Sequence, residues 1–185
     1  RDDVESRGLG DVYKRQGIIC AEAGEKIARV SANMAMAADM EVRASSTATT
    51  GAYSSACQRG LPAILMERGG GGRFTDSEVQ AYKRDVKNIM IRMGLLSGEE
   101  VHTVQQKNVT RAEYLEAETD GLWYPVFSAG DTFAGGAVLG TVRDIWGNLL
   151  REYRADYPGI VLYQTVGLGV KAGDPLIAYG EYVDR

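Results

Sequence analysis

Glu67 ends a short apolar run, residues 62–66, and is followed by Arg68 and an unbroken glycine stretch at 69–72. A fully apolar run of this length reads as a strand buried on both faces, as in a parallel sheet. In open α/β sheets, binding and catalytic groups collect at the carboxyl ends of strands. A carboxylate there, beside glycines that let a ligand approach the backbone, is placed for general acid/base work. The same position equally describes a structural glutamate paired with Arg68 or Arg73 over a turn. The glycines do not make a phosphate loop. There is no GxxxxGK[ST], and a dinucleotide fingerprint would need glycine where Phe74 stands.

The elements that would position Glu67 lie between residues 17 and 98. Residues 21–38 are alanine-rich, with Ile27, Val30, Met34 and Ala37 at helical spacing. Residues 40–44 read as a short strand, and residues 54–59 as a small helix stopped by Gly60. Thr75 and Glu78 have the spacing of a capping box. The helix they open carries Val79, Tyr82, Val86, Ile89 and Met93 as one apolar stripe, expected to be core, and closes at Gly94. This alternation predicts an α/β domain with a mainly parallel sheet over 17–98.

Beyond Glu99 the texture changes to short strands separated by glycines. Gly121-Leu-Trp-Tyr, then Gly130-Asp131, Phe133, Gly136 and Leu139 are echoed by Gly159-Ile-Val-Leu, then Gly169, Val170, Gly173 and Leu176. Two copies of strand, glycine turn and strand predict a small pseudo-symmetric all-β domain over 99–185, closed by residues 177–179. The pattern resembles the biotinyl/lipoyl-like barrel-sandwich domain. Carrier domains of that type display a modified lysine on a hairpin between the halves. No lysine occurs between Lys107 and Lys171, so residues 141–158 are not a carrier hairpin.

Composition narrows the function classes. The chain has 185 residues, 44% hydrophobic and 25% charged, which is globular rather than disordered. A net charge of −4 gives no reason to expect nucleic acid or an acidic membrane surface. No apolar run approaches the roughly 18–20 residues that span a bilayer. Cys20 and Cys57 have no metal-knuckle or CxxC spacing and are expected as free thiols in a reducing cytoplasm. The lone histidine, His102, lies in a polar stretch and is expected at the surface. The sequence begins at Arg1, and its first methionine is Met34. Residues 1–16 are rich in charge, lack periodicity and look like sequencing-adaptor read-through, so they are expected to be non-native or disordered.

The stretch from Ala52 to Gly70, with small residues followed by Gly-Leu-Pro-Ala-Ile-Leu-Met-Glu-Arg-Gly-Gly, resembles a segment of the succinylglutamate desuccinylase/aspartoacylase family. In that family small residues precede G-I-P-x-I-x-x-E-x-G. The capped helix ending in Gly94-Leu-Leu-Ser-Gly98 fits the same pattern, as do Asp120-Gly121, Gly130-Asp131, Asp144-Ile-Trp-Gly147 and Gly173-Asp174. The resemblance runs from residue 17 to the end. It implies a zinc-carboxypeptidase-like domain followed by a β-domain, and a hydrolase cleaving an N-acyl amide of a small amino-acid-like substrate. Glu67 matches the family glutamate that shuttles a proton between zinc-bound water and the departing amine. Tyr53 matches a substrate-contacting tyrosine. Cys57 stands where the family has a substrate-binding arginine, with Arg59 two positions on. The family's zinc ligands come from HxxE and a later Asp-x-His, and this chain has neither. The resemblance therefore implies an N-terminally truncated deacylase whose full-length parent holds Zn²⁺, with no metal expected in this fragment and no activity from it alone. The rival reading is a non-catalytic module in which tyrosine-bearing segments at 153–157 and 179–182 mediate contacts. A homo-oligomer is left open.

Overall fold

The computed structural model describes residues 11–13, 16–20, 24–46, 49–70 and 73–184. Expectations for residues 1–10, and for the side chain of Cys20, fall outside the described set. Within the segment set aside as non-native, Asp11–Tyr13 forms a short strand, β1. Then come β2 (Gln16–Cys20), helix α1 (Glu25–Ala37), β3 (Val42–Ser46), α2 (Ala52–Gln58), β4 (Ile64–Glu67) and α3 (Asp76–Arg92). The rest is β: β5 (Lys107–Glu116), β6 (Gly121–Pro125), β7 (Thr132–Phe133), β8 (Val138–Arg143), β9 (Leu149–Arg154), β10 (Gly159–Thr165), β11 (Gly169–Val170) and β12 (Pro175–Asp184). Among the described residues no helix is long and apolar enough to cross a membrane.

The larger sheet runs β1-β10-β12-β5-β3-β2-β4, with β7 also paired to β10; the smaller runs β11-β6-β8-β9. The predicted α/β character is present, but the sheet is mixed. Only β2–β3 and β3–β5 are parallel. β4 is antiparallel to β2, with Gln16 opposite Glu67, and it sits at the sheet edge with every residue half-buried. The expectation of a doubly buried parallel strand at 62–66 is thus corrected. β4 pairs on the side of β2 away from β3, with Gly17 opposite Met66 and Ile19 opposite Ile64, and having one neighbour only it leaves all four residues half-buried. The larger sheet also continues through β3 and β5, across the expected boundary at 98/99.

β6 pairs with β8, and β10 pairs with β12. Each short strand crosses to the other half, β11 joining β6 and β7 joining β10. Between the sheets lie Trp123, Leu139, Val142, Val161, Leu176, Ile177 and Tyr179. Residues 141–158 do form a hairpin, β8–β9. Its turn is held by Asp144, which accepts from the N–H groups of Trp146 and Asn148. Trp123 packs edge-on against Tyr153, with ring centroids 5.7 Å apart. Tyr153 and Tyr179, expected on contact loops, are core residues instead. Their hydroxyls accept from the N–H groups of Glu118 and Asp156.

The capping box at Thr75 and Glu78 is formed as predicted. The orientation of α3 is not as predicted. Its buried residues are Ala81, Asp85 and Asn88, whereas Val79, Val86 and Met93 of the apolar stripe are exposed. The buried face is polar because it docks on irregular backbone, whose amides and carbonyls need partners once out of water. Asn88 donates to Val101 O at 2.8 Å and accepts from Val101 N at 3.0 Å. Asp85 accepts from the N–H of Asp39 at 2.8 Å. Asp39, just past α1, is itself fully buried, and Thr103 N–H, Val104 N–H, Thr103 Oγ1 and Arg84 all donate to its carboxylate. Burial opposes ionisation of Asp39. The bonds from Thr103, Val104 and Arg84 outweigh it and hold the carboxyl below its ordinary 3.8.

Two outcomes follow for stability. A Cβ at Gly140 would stand 2.2 Å from the Trp123 ring, so Gly140→Ala should lower the unfolding free energy by about 2 kcal/mol in urea titration. A depressed carboxyl contributes stability that is present above its unfolded pKa and lost as the pH falls through the folded one. For Asp39 that loss lies below its ordinary 3.8. Asp39→Asn should cost about 3 kcal/mol at neutral pH and shrink the acid-induced loss of stability in the same titration repeated from pH 6 to pH 2.

Candidate active site around Glu67

Glu67 is the last residue of β4, half-buried at the sheet edge. Period-2 alternation puts it on the same strand face as Leu65. Leu65 packs with Tyr53 and Cys57 of α2, and with Ile27 and Ala63. The structure thus brings Tyr53 and the Glu67 strand into one neighbourhood, with the Tyr53 ring buried in a small core cluster at 6% exposure. Cys57 is a free, buried thiol whose S–H donates to Ala63 O at 3.5 Å. Ser31 Oγ accepts from Ala63 N–H at 3.1 Å, fixing the entry to β4. Arg59, just past α2, is exposed, and its N–H closes the helix.

On the far side of Glu67 the chain turns sharply. Gly69 has φ 75°, in the left-handed region that favours glycine. A side chain there would also come 3.2 Å from the Glu78 carboxylate. Arg68 points under α3, 1% exposed, and donates through Nε to Asp85 Oδ2 at 2.7 Å, with Nη2 2.6 Å from the same oxygen as an ion pair. Nη2 also donates to Asp39 O at 3.0 Å. The guanidinium lies 5.6 Å from the centre of the Tyr82 ring.

Tyr82, one turn before Asp85, donates its hydroxyl to Met66 O at 3.1 Å. Burial pushes the Tyr82 phenol above its ordinary 10.0; the Glu67 carboxylate adds to this and the Arg68 charge opposes it. Tyr82 is therefore a neutral donor at physiological pH, within electrostatic reach of Glu67. Sequence reasoning placed Tyr82 in an apolar stripe and gave Asp39 and Asp85 no role. The available signal was the polar spacing of Asp85 and Asn88 on one helical face.

Among the described residues no group of three or more His, Cys, Asp or Glu side chains could hold a metal ion. His102 sits at the surface, its Nε2 3.0 Å from Glu100, whose carboxylate also pairs with Arg92. What the site offers is one carboxylate on a strand end, braced by a helix.

No family model matches the chain. It is 28% identical over 127 residues to the N-alpha-acetyl-L-2,4-diaminobutyric acid deacetylase of Halomonas elongata, covering 65% of this chain and 37% of that protein. In structure it is similar to the product-bound ectoine utilization protein EutE of Ruegeria pomeroyi, with TM-score 0.82 and 21% identity. That match covers 92% of this chain and 54% of the other. The succinylglutamate desuccinylase/aspartoacylase of Rhodobacter sphaeroides matches with TM-score 0.80 and 20% identity, over 96% of this chain and 56% of the other. An aspartoacylase family protein of Mesorhizobium loti matches with TM-score 0.76. The chain thus spans little more than half the length of these structures, and over that span its fold is that of the succinylglutamate desuccinylase/aspartoacylase proteins.

Proposed function

We propose that this chain is part of a deacylase of the succinylglutamate desuccinylase/aspartoacylase family, hydrolysing an N-acyl amide of a small amino-acid-like molecule, with Glu67 as its proton-transfer group. The observation that carries this reading is the coincidence of motif and fold. The glutamate of the recognised segment falls at the end of an edge strand in a fold shared with these proteins over more than nine-tenths of the chain. The Halomonas relative, a deacetylase acting on an N-acetylated diamino acid, supports the substrate class.

In the proposed reaction Glu67 takes a proton from the attacking water while the water oxygen bonds to the amide carbon. The proton then passes to the amide nitrogen as the C–N bond breaks, releasing amine and carboxylate. Zn²⁺ belongs to this proposal for the full-length protein. Among the described residues the donors do not assemble a site for it. The metal ligands are accordingly assigned to sequence outside this chain, and no step is derived through the metal. On this reading the isolated chain is inactive.

Three measurements test the proposal. Glu67→Gln in the full-length enzyme should lower kcat by about 10²–10⁴-fold with metal content unchanged; near-normal turnover would remove Glu67 from the chemistry. Metal analysis of the purified chain should find no stoichiometric zinc. The coding sequence upstream of Gly17 should contain HxxE and Asp-x-His; their absence from a complete gene would favour a binding-only module.

A further inference from the structure

Glu67 lies at the end of an edge strand of the sheet. β4 has 4 residues and, among the described residues, pairs with β2 alone. Short edge strands fray, so the backbone at the terminus of one needs anchoring from outside the sheet to hold its place. General-base efficiency depends steeply on that placement, because a displacement near 1 Å can cost about 100-fold in rate.

The backbone on each side of Glu67 is nevertheless fastened, and both fastenings come from one helix. Before it, Met66 O accepts the hydroxyl of Tyr82. After it, Arg68 donates through Nε to Asp85 and forms an ion pair with the same oxygen, with its side chain 1% exposed and that of Asp85 0%. Tyr82 and Asp85 are neighbours on successive turns of α3, and the Arg68 guanidinium stacks against the Tyr82 ring. The other Asp85 oxygen is held by the N–H of Asp39. Asp39 in turn is fixed by Arg84 and Thr103. The backbone of Glu67 is thus bracketed by one fastening on each side.

We propose that Tyr82, Asp85 and Arg68 form a positioning clamp by which α3 fixes the backbone from which the Glu67 side chain reaches the substrate. These are positioning residues, acting through the backbone of 66–68. This inference rests on the proton-transfer reading of Glu67.

The test is a double-mutant cycle on the full-length enzyme, with Tyr82→Phe and Glu67→Gln singly and together. A clamp predicts that Tyr82→Phe lowers kcat about 10- to 100-fold with KM changed less than about threefold. In the Glu67→Gln background, where there is no carboxylate to place, the same change should alter kcat by less than about twofold. An equal loss in both backgrounds, a rise in KM alone or an unchanged kcat would each overturn the clamp. If Tyr82→Phe reduces the yield of folded protein, Arg68→Lys, which keeps the charge but loses the paired donors, carries the same comparison. Failure of the underlying reading is visible separately, as near-normal kcat in Glu67→Gln alone.

Discussion

The contact between the Arg68 guanidinium and the Asp85 carboxylate is made with both side chains out of water, and much of the α/β region depends on it. A buried pair of this kind gains little over apolar packing, but its half-loss leaves an uncompensated charge. It therefore acts chiefly as a constraint. Arg68 must follow Glu67 into the space beneath α3, α3 must present Asp85 rather than its apolar stripe, and the end of α1 must deliver the Asp39 amide to the second oxygen. Asp39 extends the same constraint to Thr103 and Val104, on the path into β5. One polar network thus joins α1, β4, α3 and the entrance to the β-region.

The β-region is held by a different principle. Its two halves exchange short strands, β7 into the sheet of the second half and β11 into that of the first, so neither half is complete alone. The interior is closed by Trp123, which fits because Gly140 opposite has no side chain. The long strands β5 and β12 pair along nearly their whole length. Through β5 they join this region to β3. The strand end carrying Glu67 therefore sits at one edge of a sheet whose strands β5, β12 and β10 belong to the β-region.

Much of this was legible in the sequence because it rests on local chemistry or repetition. The capping box needs only Thr75 and Glu78 at the right spacing. The β-repeat shows as glycines and apolar residues recurring in order. The family resemblance, carried by the segment around Glu67, agrees with the fold of the similar structures. Tyr153 and Tyr179 were misread as contact residues because a tyrosine in a strand and one in a loop have the same composition. Only burial and the amide each hydroxyl accepts from separate the two.

What the sequence determined by itself was the presence of the elements, the repeat and the glutamate at a strand end. These follow from periodicity, capping and turn chemistry within a few residues of one another. Tertiary structure alone decided the direction of β4, the buried face of α3 and the partner of Arg68. Each depends on distant groups: pairing with β2 goes with the direction of β4, and irregular backbone at Asp39 and Val101 drew a polar helical face inward. A hydrophobic pattern reports how much apolar surface a helix has. It does not report whether unsatisfied amides elsewhere will claim the opposite side.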